Sequence, residues 1–347
     1  MCAEKKKITL TCEVDSYRSG WTIVRFLSHR FKYHPPERWT ARVTDGFVQV
    51  NGSDVSTDHT VKKGDVVTYT IFHAEPEVDF RYDVIYEDDY LLAISKSGNI
   101  PVHACGVYIR NTLIATLKNI YGENLNLAHR LDRETSGLTL LTKDPDTSRA
   151  MGRMFAERDV WKLYAAVVHG RVREPSFEVD APIGKTMEAL TDRPCAEIEG
   201  DLAEDRPRYV PRRRVDFEHG KRAVTRFEVE KFMGGCTLLR AIPLSGRTNQ
   251  IRVHLDYVGH PIVGDKVYKP RGLEPGVADI GDLKPGEPET QGRPQKPHAP
   301  IINRHALHCR ELRFVHPAAG RVVHLTAPYP DDFLRLIETL TGKETAL

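Results

Sequence analysis

The chain has 347 residues, 40% of them hydrophobic and 28% charged, an ordinary globular mixture long enough for one large core and a small extra domain. A formal net charge of +2 excludes the strongly basic composition that by itself announces a nucleic-acid binder. No apolar run approaches the roughly 20 residues of a transmembrane helix, and residues 1–7 lack a following apolar segment, so neither a membrane span nor a secretory leader is expected. The cysteines Cys2, Cys12, Cys105, Cys195, Cys236 and Cys309 are scattered without a CxxC pair. That pattern argues against a disulfide framework or a structural zinc and fits reduced thiols in a cytoplasmic protein.

Charge is uneven along the chain. Residues 1–73 carry eleven Lys/Arg against eight Asp/Glu, and residues 206–226 carry eight against two. Such patches can meet phosphates, although a solvated basic loop accounts for any one of them equally well. Trp21, Val24, Leu27 and Phe31 recur at helical spacing and predict an amphipathic helix over residues 21–31. Pro35-Pro36 interrupts it, and Pro36 opens a second short helix over 37–43. Residues 47–50 read as a strand closed by Asn51-Gly52, and Gly64-Asp65 marks a turn before the β-rich run 66–72. Ala74-Glu75-Pro76-Glu77 reads as a linker, which puts a domain boundary near residue 78.

In its helix pair and in residues 45–52 and 61–67, this first segment resembles an S4 RNA-binding domain. In that family the helix pair presents basic residues to structured RNA. The resemblance therefore implies RNA contacts by Arg25, Arg30, Lys32, Arg38 and Arg42. Gly20-Trp21-Thr22-Ile23-Val24 departs from the Arg-Leu-Asp run usual there. The alternative is a small α+β domain whose basic residues are merely solvated.

Beyond residue 80, strands and helices interleave. Residues 84–86 and 90–95 flank the acidic turn Glu87-Asp88-Asp89 as a hairpin, and Leu113, Leu117, Ile120 and Tyr121 support a helix. A strand over 138–142, a helix over 146–158 capped by Asp146 and a strand over 163–168 follow. Strands over 226–232 and 237–242 then precede a helix over 248–258. This order lacks clean βαβ units and predicts an α+β fold. Residues 188–218, with Pro and clustered Arg, and 269–300, dense in Pro, Gly and Lys, read as surface insertions.

The most informative stretch is His129-Arg130-Leu131-Asp132-Arg133-Glu134-Thr135-Ser136-Gly137-Leu138. It sets an acid between two arginines, then turn residues, then an apolar strand. Opposite charge within a few ångströms favours the ionised carboxylate, which on a loop at a strand mouth can act as nucleophile or base. Taken alone, the same residues fit a salt-bridged loop at least as well.

The stretch is similar to HRLDRxTSGL, the signature of the RluA-type pseudouridine synthases, and the likeness continues along the chain. Residues 161–170 match the segment with K-x-Y, residues 244–255 match the GRTHQIRVH segment, and residues 259–265 with Tyr268 extend it. Residues 305–308 and 314–317 match the closing strands. Asn249 replaces the usual His, and Lys96-Ser97-Gly98 replaces the usual Lys-Pro-Ala-Gly.

The resemblance implies a pseudouridine synthase fold over residues 79–340, with a mixed, mainly antiparallel central sheet flanked by helices, beside an S4-like domain over 1–78. It implies isomerisation of uridine in structured RNA by a monomer without cofactor or metal, with ribosomal RNA favoured over transfer RNA. Asp132 takes the nucleophile's place, Arg252 faces it, and Tyr164 lies against the target base. Arg130 matches the position that fills the gap left by the flipped uridine. His129, Arg133, Thr135, Arg247 and Gln250, in the same blocks, are expected at the substrate. His305, His308 and Cys309 lack a matched fourth ligand, so no metal site is expected there. Two other readings remain at this point. One is a non-catalytic RNA-binding or ribosome-assembly protein, against which intact Asp132, Tyr164 and Arg252 argue. The other is a glycoside hydrolase, which wants two carboxylates flanking one bond.

Overall fold

The computed structural model describes residues 6–31, 34–189, 209–268 and 302–342. The expected insertion at 269–300, residues 190–208 of the other insertion, and Lys32 lie outside them. The chain divides into two compact units.

The smaller unit takes in Met1–Glu77, Cys105–Arg110 and, among the described residues, 187–189 and 209–210. In chain order it holds β1 (Lys6–Glu13), α1 (Ile23–Arg30), α2 (Pro36–Thr44), β2 (Val48–Val50), β3 (Ser53–Asp54) and β4 (Val66–His73). Its strands pair in the order β1-β4-β2-β3, all antiparallel. Alternation along β4 turns Val67, Tyr69, Ile71 and His73 inward. Against that face pack Ile23, Phe26 and Leu27 of α1 and Trp39 and Val43 of α2. Thr22 caps α1 by accepting the Arg25 N–H at 3.4 Å. The strand β1 was not expected, because the lysine run before it obscures the alternating Ile8, Leu10 and Cys12. The stretch 74–77 is more than a linker. Glu75 accepts the N–H groups of Ile109 and Arg110 at 3.0 and 2.9 Å, and His73 meets the Val107 carbonyl at 2.7 Å. Those bonds hold residues 105–110, expected in the catalytic domain, to the smaller unit.

The larger unit comprises Val78–Ala104, Asn111–Thr186 and Pro211–Leu347. It runs β5 (Tyr82–Glu87), β6 (Leu91–Lys96), α3 (Leu113–Tyr121), β7 (Asn126–Leu127), β8 (Ser136–Thr142), α4 (Pro145–Glu157), β9 (Trp161–His169) and β10 (Ser176–Asp180). There follow β11 (Ile183–Ala189), β12 (Tyr209–Val215), β13 (Val224–Met233), β14 (Cys236–Pro243), α5 (Gln250–Tyr257), β15 (Leu307–Val315), β16 (Val322–Thr326) and α6 (Asp331–Gly342). The main sheet has the order β10-β13-β14-β9-β15-β8-β6-β5, with β16 beside β15 and β7 beside β8. Among the described residues, only β8 and β15 run parallel in it. This is the mixed, mainly antiparallel α+β architecture expected from the sequence.

Every residue of β8 is buried, as a strand covered on both faces should be. Other strands of the sheet supply the core: Leu91 to Ile94 of β6, Ala165 to Val168 of β9 and Leu312 of β15. Three expectations need correction. The cap of α4 is Asp144, not Asp146: its carboxylate accepts the N–H groups of Asp146 and Thr147 at 2.9 and 2.8 Å, and Pro145 takes the first helical position. Residues 209–215, read as part of a surface insertion, are the strand β12 paired with β11. The helix α6, not expected, buries Phe333, Leu336 and Leu340 at helical spacing. Among the described residues, no helix is long and apolar enough to cross a membrane.

Candidate active site

The HRLDRETSGL stretch forms the loop between β7 and β8 and the first residues of β8. Leu131 is buried in the core, which anchors the loop and turns its neighbour Asp132 outward. A tight turn follows, in which the Thr135 N–H donates to the Asp132 carbonyl at 3.1 Å. Two histidines of the β15 segment hold the next hydroxyls, His305 on Thr135 at 2.7 Å and His308 on Ser136 at 2.9 Å. Burial pushes the His308 imidazole down to about 3 and His305 well below its ordinary value. Both are therefore neutral hydrogen-bond partners. Gly137 has φ of +104°, and a Cβ there would stand 2.2 Å from the Cys309 carbonyl, so the parallel contact of β8 with β15 requires glycine.

Lys96, at the end of β6, lies beneath this loop with 1% exposure. Its ammonium donates to the carbonyls of Arg133 at 3.1 Å and Ser97 at 2.9 Å. Burial, with Arg304 nearby, pushes it down to about 7, while Asp132 works in the opposite sense. Arg304 donates to the Glu134 carbonyl at 3.1 Å and is itself held by Asp332 of α6. A side chain on Gly98 would fall 2.1 Å from Arg304, which explains the small residue in Lys96-Ser97-Gly98.

The second half of the site comes from α5. Arg252 donates from Nη1 to Asp132 Oδ2 at 3.0 Å, and from Nε and Nη2 to the two oxygens of Asp265 at 2.7 and 2.9 Å. The backbone N–H groups of Val267 and Tyr268 fix Asp265 in turn, at 2.9 and 3.0 Å. Exposure rises along this chain of contacts, from 1% at the Asp265 side chain to 9% at Arg252 and 32% at Asp132. Burial opposes the Arg252 charge, but the bonds and field of Asp265, then of Asp132, raise its pKa above the ordinary value. The guanidinium is thus a permanent, fork-shaped clamp whose free end reaches the carboxylate.

Asp132, Tyr164, Arg130, Arg247 and Arg252 line one cavity of about 570 Å³, within the range of small-ligand sites. Tyr164 of β9 is 9% exposed, and burial, with Cys309 and Asp132 beside it, raises its phenol well above 10. It is held neutral, so any proton relay through it runs through the intact hydroxyl. Arg130 is exposed at the cavity, and Arg247, also exposed, donates to the Arg222 carbonyl at 3.1 Å. Arg133 is half-buried and paired with Glu134 at 2.8 Å.

Three residues expected to contact substrate spend their polar atoms inside the protein. Gln250 is buried, bonded to Val224, Thr225, Ser245 and the Arg247 N–H at 2.7 to 2.9 Å. His129 accepts the Leu140 N–H at 3.0 Å, stacks on Phe155 at 5.0 Å, and is pushed down to about 3 by burial and Lys162. Thr135 is spent on His305. They shape the cavity wall. In the smaller unit, Arg42 is a further correction, since it is 5% exposed and donates to the Thr70 carbonyl. Arg25 and Arg30 are exposed, Arg25 lying 4.2 Å over the Trp21 ring, and Arg38 is half-buried.

Sequence reasoning missed the places of Asp265 and Lys96 beside the Asp132 loop. Asp265 carried a signal, being an acid in a Gly-Asp turn within a matched block. Lys96 carried two signals, as the charge that ends the run Leu91-Leu92-Ala93-Ile94-Ser95 and as the lysine of Lys96-Ser97-Gly98, which stands where the related pattern has Lys-Pro-Ala-Gly.

The family pattern described as RNA pseudouridylate synthase matches residues 90–257. The chain is 31% identical over 312 residues to the uncharacterized RNA pseudouridine synthase YlyB of Bacillus subtilis, covering 86% of this chain and 87% of that protein. It is 29% identical over 343 residues to ribosomal large subunit pseudouridine synthase C of Vibrio vulnificus, covering 94% and 95%. Against the mitochondrial tRNA pseudouridine(32) synthase of Saccharomyces cerevisiae it is 34% identical over 239 residues, 69% of this chain and 48% of that one. Among solved structures, human RNA pseudouridylate synthase domain containing 4 is similar with a TM-score of 0.50 at 25% identity, covering 74% and 92%. The chain belongs to the RNA pseudouridine synthases, of the RluA type. It is an isomerase that converts uridine to pseudouridine in RNA.

Proposed function

We propose that Asp132 is the carboxylate on which the isomerisation turns, and that the substrate is a uridine of large-subunit ribosomal RNA. The observation that carries the first part is the Asp265–Arg252–Asp132 chain of contacts, which aims one partly exposed carboxylate into the cavity. The reaction breaks the C1′–N1 bond, turns the uracil, forms a C1′–C5 bond and moves a proton from C5 to N1. Nothing is oxidised and no group leaves. Addition of the carboxylate to C1′, proton abstraction towards a glycal, and addition at C6 each need one ionised oxygen at this place. Tyr164, neutral and lining the cavity, suits stacking on the uracil.

Support for the ribosomal target comes from the relative named for it, which matches almost end to end, whereas the transfer RNA enzyme matches over less than half its length. Mapping pseudouridines in total RNA from cells with and without the gene tests this. A site lost from large-subunit ribosomal RNA is the expected result; a site lost only from transfer RNA would overturn it.

The smaller unit acts, in this reading, as an S4-like RNA grip through exposed Arg25 and Arg30. Replacing both by Ala should weaken binding to ribosomal RNA at low salt and reduce the salt slope by about two; an unchanged slope would remove the unit from the RNA interface. The scattered cysteines, without a CxxC pair, suit a cytoplasmic protein.

A further inference from the structure

Asn249 stands immediately before α5 in the left-handed region, at φ 57° and ψ 20°. That conformation is costly for most side chains and least so, after glycine, for Asn and Asp. It points the amide at the catalytic loop. With the amide nitrogen turned to the carboxylate, Asn249 donates to Asp132 Oδ1 at 3.2 Å and Oδ2 at 3.0 Å. The other end of the amide lies 3.4 Å from the Tyr268 hydroxyl, which itself donates to the Arg213 carbonyl at 2.9 Å. Arg252 reaches Oδ2 alone, at 3.0 Å, so it leaves the carboxylate free to pivot about that oxygen. The Asn249 amide spans both oxygens and removes the pivot.

We infer that Asn249 is a second positioning residue for Asp132, a neutral donor that fixes the carboxylate plane at every working pH. The inference rests on the reading of Asp132 as the catalytic carboxylate. It gives a physical content to the departure from the related pattern, which has His here. An imidazole changes charge near neutrality, whereas an amide presents the same N–H throughout. The charged and titratable groups facing Asp132 are Arg252 of α5, Lys96 of β6 and Tyr164 of β9, with Asp265 behind Arg252. Lys96, pushed down to about 7, titrates within the accessible range, so the wild-type pH profile is the reference for each variant.

The test uses the full chain in excess over total RNA from cells lacking the gene, labelled with 5-tritiated uridine, and reads tritium release in single turnover. Asn249→Asp keeps the shape and tolerates the backbone, yet sets a second carboxylate against Asp132. The two charges repel, which raises the pH at which the pair takes up its first proton. The expected result is a loss of about a hundredfold at pH 8 that shrinks on acidification to pH 5.5, where the introduced carboxyl regains its proton and donates again. Asn249→Gly, which also tolerates the backbone, should lose about tenfold at every pH with no new pH dependence. RNA affinity and thermal midpoint should stay at wild-type values in both. Asn249→Asp that follows the wild-type rate and profile would overturn the inference. If that variant does not fold, Asn249→Gly decides: a tenfold loss in rate at unchanged affinity supports the role, and a wild-type rate ends it. Asp132→Asn measured alongside separates the two readings. If it is inactive while both Asn249 variants are normal, only the positioning role falls; if it turns over, both fall.

Discussion

Asp132→Asn is expected to lose on the order of 10⁴-fold or more in single-turnover pseudouridine formation, with RNA affinity and fold retained. The amide has the same shape and can still accept the Arg252 N–H through its oxygen, so the Asp265–Arg252 pair behind it stays closed. It offers no anionic oxygen to add to C1′ or C6 and no base to open a glycal route. Stability should change little, because the Asp132 side chain is 32% exposed, and a partly solvated ion pair contributes at most about 1 kcal/mol. Tritium release from 5-tritiated RNA measures the chemistry, and filter binding at one fixed salt concentration measures affinity. Activity within tenfold of wild type would remove Asp132 from the reaction. A loss of activity matched by a loss of affinity would assign it to docking instead.

The fold was largely legible because its signals are local. Helical spacing announced α1, and the apolar runs of β4, β6, β8 and β9 announced strands. What was not legible depends on partners distant in sequence. Gln250 looks like a substrate contact in its motif, yet its amide is consumed by Val224, Thr225 and Ser245, which no spacing reveals. Arg42 looks basic and solvated, but α2 turns it under Phe47 and onto the Thr70 carbonyl. Asp265 is the clearest case. A single acid in a turn says nothing by itself, and its meaning appears only when α5 brings Arg252 between it and Asp132. The two histidines weighed as metal ligands have a similar explanation, since each meets a hydroxyl that follows Asp132 in the HRLDRETSGL stretch, from the neighbouring β15 segment. Motif resemblance located the site; it did not sort groups that face the substrate from groups that hold the loop.

That distinction is sharpest at Arg252, for which we propose both purposes. Arg252→Met is expected to lower single-turnover activity by about a hundredfold or more, because displacement of a reacting group by about 1 Å carries a penalty of that size. It should also destabilise the chain by about 3–5 kcal/mol, since the methionine leaves the Asp265 carboxylate buried without its cation; at the Asp265 side chain only 1% is exposed. The two effects can be separated by adding Asp265→Asn. The asparagine oxygen still accepts the N–H groups of Val267 and Tyr268, and no buried charge is left uncompensated. The double variant should therefore regain much of the lost stability, read as the denaturant midpoint at constant slope. Its activity should remain as low as that of Arg252→Met, because nothing then orients Asp132 through Nη1. Recovery of activity together with stability would show that Arg252 acts only by holding the fold, and the chain of contacts from Asp265 to Asp132 would lose its catalytic meaning. Arg252→Lys sharpens the comparison. It keeps the charge near Asp265 but lacks the fork that bonds two carboxylates at once, so stability should be lost less than activity.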